Sequence, residues 1–121
     1  MPFLRSQGQQ MGDDVVRHIE HAIDVCGEDH VGIGTDGSTT PIVLTPEYKK
    51  SFADQVNERR KQGISAPGED PDVYLFAPDL NGTDRFLRIA DLLSKRKHSD
   101  ARIEKILGGN FDRLLKDVWQ D

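Results

Sequence analysis

One short segment does most to decide how this chain can fold. His30-Val31-Gly32-Ile33-Gly34-Thr35-Asp36 is partly β-branched and shows no polar alternation until its end. That is the pattern of a strand covered on both faces, as in a parallel sheet. It is the one clear strand in a sequence whose other periodic stretches read as helix. A lone strand cannot satisfy its own ladder N–H and C=O groups. Either it pairs with itself across a dimer, or these 121 residues are a piece of a larger α/β sheet. The second solution is the expectation adopted: an α/β fold, mostly helical in this piece, with one or two strands. Met1 to Ser6 reads as the tail of a further strand, and Gln7 to Gly12 as a polar loop.

Helices are expected on both sides of the strand. Val15, Ile19, Ala22 and Cys26 recur at spacings of a single helical face, widened by Val16 and Ile23. Asp13 and Asp14 suit a first turn, and Gly27 supplies the stop. Thr45-Pro46 is an N-cap and first-turn pair, followed by Tyr48, Phe52 and Val56 four apart, with an end near Gly63. Residues 64–82 hold Pro67, Pro71, Pro78, Gly68 and Gly82 and read as a long surface loop, with Val73 to Phe76 briefly extended. Thr83 is expected to cap a helix burying Phe86, Ile89, Ala90 and Leu93. Ser99 caps another with Ile103, Ile106 and Leu107 inward, broken by Gly108-Gly109. Asn110 caps the last, whose apolar set is Phe111, Leu114, Leu115 and Val118.

Composition narrows the partners. Lys and Arg number 16 against 21 Asp and Glu, a net charge of −5, which argues against nucleic acid. No apolar run approaches the roughly 18 residues of a membrane span. The start Met1-Pro2-Phe3-Leu4-Arg5 lacks the apolar core of a secretory signal. The expectation leans to the cytoplasm, with the periplasm open if further chain precedes Met1. Cys26 is a single cysteine, so there is no internal disulfide framework, and its apolar helix face predicts a buried, inert thiol.

Few motifs carry chemistry. Gly32-Ile33-Gly34-Thr35-Asp36-Gly37 fits G-x-G-x-x-G, but Ser38-Thr39-Thr40-Pro41 follows and no helix opens before Pro46. The dinucleotide fingerprint needs that helix directly, so nucleotide binding is set aside. Asp36 ends the strand, where a carboxylate can ligate a metal or take a proton from metal-bound water. The plainer reading is a turn aspartate, because Asp-Gly is a common turn pair. His18 flanks the first helix's apolar stripe and His21 faces outward, so packing and surface roles outweigh zinc ligation. His30 reads as a capping or packing histidine, and Ser94-Lys95-Arg96-Lys97-His98 as a solvated helix end.

Three stretches together resemble a known family. Asp13-Asp14-Val15-Val16-Arg17-His18-Ile19-Glu20-His21, then Gly27-Glu28-Asp29-His30-Val31-Gly32-Ile33-Gly34-Thr35-Asp36, is similar to the closing section of the renal (membrane) dipeptidases, a family of zinc metallopeptidases. Ile103-Glu104-Lys105-Ile106-Leu107-Gly108-Gly109-Asn110-Phe111, with Arg113 and Leu114, is similar to that family's C-terminal motif. The matches occur in the family's order and cover most of the chain outside residues 38–80.

The resemblance implies the C-terminal portion of a (β/α)8 TIM-like barrel. Met1 to Leu4 would end strand seven, His30 to Thr35 would form strand eight, and residues 1–121 would be the last third of a metallo-dipeptidase. It implies two zinc ions, a dipeptide substrate, and Asp36 as the metal-centre carboxylate that handles the attacking water and the leaving amine. Many members read Gly-Ser-Asp-Phe-Asp-Gly where this chain has Gly34-Thr35-Asp36-Gly37-Ser38, so the aromatic and second aspartate are replaced. The family's remaining ligands lie on earlier strands, and a full barrel needs about 200 residues or more. The expectation is a hydrolase as part of a longer protein, with the isolated 121 residues inactive. The alternative is a non-catalytic module that self-associates as a homo-oligomer through apolar faces on Ile33 and the first helix.

Overall fold

The computed structural model describes residues 4–119. Five helices follow in order: α1 (Gly12–Cys26), α2 (Pro46–Lys61), α3 (Arg85–Lys95), α4 (Asp100–Glu104) and α5 (Asn110–Val118). Single 3-10 turns lie at Glu28–His30 and Pro78–Leu80. No sheet forms among the described residues. The one β-bridge joins Asp70 and Val73 within a turn. The expected α/β architecture, a barrel end with one or two strands, is therefore overturned; the described chain is a helical domain. Residues 1–3 of the supposed strand seven lie outside the described residues.

The physical reason is visible at residues 31–35. Val31 is extended, with φ −108° and ψ 132°, yet no neighbouring strand pairs with this segment. The buried side chain of Asn110 donates to the Val31 carbonyl at 2.8 Å and to the Glu28 carbonyl at 2.7 Å. A side-chain amide thus meets part of the need that made a lone strand implausible. The Phe111 ring lies over Gly32, where an added Cβ would stand 2.3 Å from a ring carbon. At Gly34, by contrast, nothing comes within 4 Å.

The core forms where α1, α3 and α4 meet. Val15, Val16 and Ile19 of α1 pack with Ile89 and Leu93 of α3, Ile103 of α4, and Ile106, together with Val31, Ala77 and Leu80. Fully burying side chains of this size stabilises by about 1.5–3 kcal/mol each. Helix α1 starts under two seals. Its Gly12 N–H donates to both Asp79 carboxylate oxygens at 2.9 and 3.0 Å. Asp14 accepts from the Met11 N–H at 2.9 Å. Thr45 and Ser99 cap α2 and α4 as expected. Thr83 does not cap α3; Asp84 takes that position, and its carboxylate binds Arg88 at 2.9 Å. Asn110 is not a cap but the first residue of α5, turned inward. Between α4 and α5 the chain widens over Lys105–Gly109, and Gly108 leaves helical geometry with φ 167°.

Expectations of burial at Cys26 and Phe86 fail for want of a cover, and the apolar set of α5 is exposed as well. Cys26 is exposed, at the end of α1 where Val25 also faces out. Phe86 is not buried. Phe111, Leu114, Leu115 and Val118 of α5 are all exposed, although the Phe111 ring lies against Gly32.

Residues 64–82 are held rather than loose. Gln9 donates to the carbonyls of Tyr74 and Phe76 at 3.0 and 2.7 Å and accepts from the Tyr74 N–H at 2.8 Å. Gln10 donates to the same Tyr74 carbonyl at 2.8 Å. From the other side, Arg59 of α2 pairs with Glu69 at 2.8 Å. No helix among the described residues is long and apolar enough to cross a membrane.

Candidate functional site

Asp36 was singled out by sequence, and the structure places it on the wall of a cavity of about 270 Å³. Its backbone is left-handed, φ 45°, a conformation that non-glycine residues adopt at a cost and aspartate tolerates better than most. The following Gly37 completes the turn. The Asp36 side chain is exposed and makes no ion pair with any described residue. A carboxylate held at a cavity edge without a partner is available to a ligand or a proton.

The cavity is built by α2 and by the anchored segment 64–82. Tyr48 and Phe52, one turn apart on α2, stack at 6.4 Å between centroids, and Phe52 meets Tyr74 at 5.4 Å. Tyr74 stacks on Phe76 at 5.7 Å. Tyr48, Phe52 and Phe76 line the cavity with Ile42 and Leu80. Asn81 fixes the opposite edge. Its side chain accepts from the Ile42 N–H and donates to the Ile42 carbonyl, both at 2.8 Å. Two guanidiniums complete the lining, Arg59 and Arg85. Arg59 is committed to Glu69, with Nε to Oε2 at 3.2 Å and Nη2 to Oε1 at 2.8 Å. Arg85 is half-buried; its Nε donates to the Gly82 carbonyl at 3.0 Å.

The histidines do not join Asp36. His18 Nε2 lies 2.9 Å from the Leu4 carbonyl. His30 Nδ1 lies 2.9 Å from the Cys26 carbonyl, at the end of α1, in keeping with the capping role read from sequence. Among the described residues, no three His, Cys, Asp or Glu side chains come together as a metal cage.

Charge is concentrated elsewhere, in two ties that brace the helices. Glu28 is held below the ordinary carboxylate range by hydrogen bonds from Lys105 and then Arg102, at 2.7 and 2.6 Å. Asp29 is lowered chiefly by its hydrogen bond with Lys105, 2.7 Å away. Lys105 is raised in turn, by Asp29 first and then Glu28. The run read as a solvated helix end also does more than expected: Arg96 pairs with Asp13 and Glu20 of α1, and His98 with Glu20 at 3.1 Å.

Sequence reasoning missed Arg85, Asn81 and the aromatic lining. Tyr48 and Phe52 carried a helical period and were read only as marking a helix. Arg85 carried no signal, because a cation near a helix start resembles any solvated residue.

No family model matches the chain, and no solved structure matches significantly. An uncharacterised protein from the pqqA 5′ region of Klebsiella pneumoniae is 28% identical over 122 residues, covering 98% of this chain and 32% of that protein. The chain thus spans about a third of the length of that relative.

Proposed function

We propose that this chain is the C-terminal part of a zinc-dependent dipeptidase and that Asp36 is the carboxylate it brings to the reaction. The observation that carries the reading is the unpartnered Asp36 carboxylate on the wall of a part-apolar cavity. The three matching stretches add support for the activity, and the greater length of the Klebsiella protein supports only that the chain is part of a longer one. A family zinc pair does not fit the described residues alone. Asp36 is the single acidic residue on the cavity, with no histidine or cysteine beside it, whereas zinc takes about four ligands. The ligands therefore have to come from outside the described residues.

What this chain supplies is proton handling and shape. An ionised Asp36 accepts a proton from the attacking water and delivers it to the leaving nitrogen as the amide bond breaks. The rings of Phe52 and Phe76 exclude water from the substrate's apolar part. The experiment grafts this chain, native or Asp36→Asn, in place of the corresponding third of the Klebsiella relative. Zinc-dependent hydrolysis of simple dipeptides is then followed. Activity in the native graft that falls at least about a hundredfold in the Asp36→Asn graft is expected, within the range of general acid–base contributions. No dipeptide hydrolysis by the intact relative would end the reading. The isolated chain is expected to show no turnover, with or without zinc.

A second reading rests on α5. Its exposed Phe111, Leu114, Leu115 and Val118 form one apolar stripe. Asp112 and Lys116 sit one turn apart beside it, so two antiparallel copies can exchange these charges. On this reading the chain is a self-associating module, and the occupant of the stripe is a second copy. Light scattering that finds a dimer, lost on Leu115→Glu, would favour it; a monomer at high concentration would dismiss it.

A further inference from the structure

We propose that Arg85 binds the terminal carboxylate of an amino acid or short peptide whose apolar side chain enters the cavity beside Asp36. The identity of that ligand as a substrate rests on the dipeptidase reading; the binding itself does not.

Three observations converge on Arg85. First, it is the cavity's uncommitted cation. Arg59 is neutralised by a two-point pair with Glu69, whereas Arg85 makes no ion pair with a described residue and spends only Nε, on the Gly82 carbonyl. That single bond holds the guanidinium plane and leaves the Nη groups as donors. A guanidinium with two free donors is suited to a carboxylate, which it binds in two parallel bonds. Second, Arg85 stands between two recesses. It lines the 270 Å³ cavity and also an adjoining one of about 120 Å³, bordered by Ser38, Thr39 and Thr83. The smaller recess is hydroxyl-rich and the larger is floored by aromatic rings, so a carboxylate and an apolar group are separately served. Third, Gly37 keeps the guanidinium open. A Cβ at Gly37 would stand 3.7 Å from Arg85 Nη1, and a longer side chain there would cover it.

Size sets the ligand class. The larger cavity falls just under the roughly 300–1,000 Å³ of sites for drug-sized ligands. It suits one amino-acid side chain, not an extended peptide. Asp36, on the same cavity, is then placed to meet the positively charged or N–H-bearing end of the same molecule.

The test titrates the full 121-residue chain with glycyl-phenylalanine and, separately, with its C-terminal amide. Backbone and arginine Nε–H resonances are followed by NMR, without zinc. The free acid is expected to shift residues 37–39, 48, 52 and 85 saturably, with the amide at least about tenfold weaker, as loss of a charge-assisted pair implies. Arg85→Gln should lose the preference for the acid, and Arg85→Lys should recover part of it. Equal binding of acid and amide, no binding of either, or an Arg85→Gln protein that keeps its preference would each overturn the proposal. If Arg85→Gln does not fold, the acid–amide comparison on the native chain decides. Carboxylate binding by the chain alongside an inactive graft would retain Arg85 and reject the dipeptidase; an active graft with no such binding would do the reverse.

Discussion

Asn110 offers the sharpest test of how this chain replaces a sheet. Its side-chain amide donates to the carbonyls of Val31 and Glu28, and the residue is 8% exposed. Replacing it by Ala strands the Val31 carbonyl in a buried place, which costs about 1–3 kcal/mol. The Glu28 carbonyl is partly open, so water recovers most of that bond and the loss there is about 0.5–1.5 kcal/mol. Asn110→Ala should therefore destabilise by about 1.5–4.5 kcal/mol. Asn110→Ser separates this account from an N-cap. Serine and asparagine cap about equally well, yet a serine hydroxyl is too short to reach both carbonyls. The Ser variant should thus lose nearly as much as the Ala variant, and Asn110→Asp, which has no donor when ionised, at least as much. Urea unfolding followed by circular dichroism measures all three. A Ser variant within about 0.5 kcal/mol of the native protein would refute the bridging role.

Other outcomes follow from the same geometry. Gln9→Ala removes three bonds to Tyr74 and Phe76; it should cost about 1–2 kcal/mol and speed hydrogen exchange at the Tyr74 amide. The lowered pKa values of Glu28 and Asp29 give stability that is present above their unfolded values and lost as pH falls through the folded ones. Urea midpoints should therefore drop on going from pH 7 to acid below about pH 4. Lys105→Met should flatten that drop, and an unchanged acid profile would remove Lys105 as its source.

The helices were legible because periodicity and caps act locally. Val15, Val16 and Ile19 announced the buried face of α1, and Thr45-Pro46 and Ser99 fixed two starts. The strand was misread because Val31 is extended but its partner is a side chain 79 positions away. No local pattern encodes that. The same holds for Asp79 at Gly12 and Gln9 at Phe76, each 67 positions apart. Of the candidate site, Asp36 was legible as a carboxylate ending an apolar run. Arg85 became visible only once Gly37 and the aromatic rings were set around it. The apolar stripe of α5 was legible but its exposure was not, because periodicity records which face is apolar, not whether anything covers it.

The tie between Gly12 and Asp79 also bears on the order of events at the ribosome. The opening turn of α1 stays without its outer acceptor until residue 79 has emerged, and its side-by-side partner α3 ends later still, at Lys95. Among the described helices α1 is made before α3 yet is sealed only after it, so a nascent chain halted before α3 would display Val15, Val16 and Ile19 to whatever chaperone or neighbour is at hand.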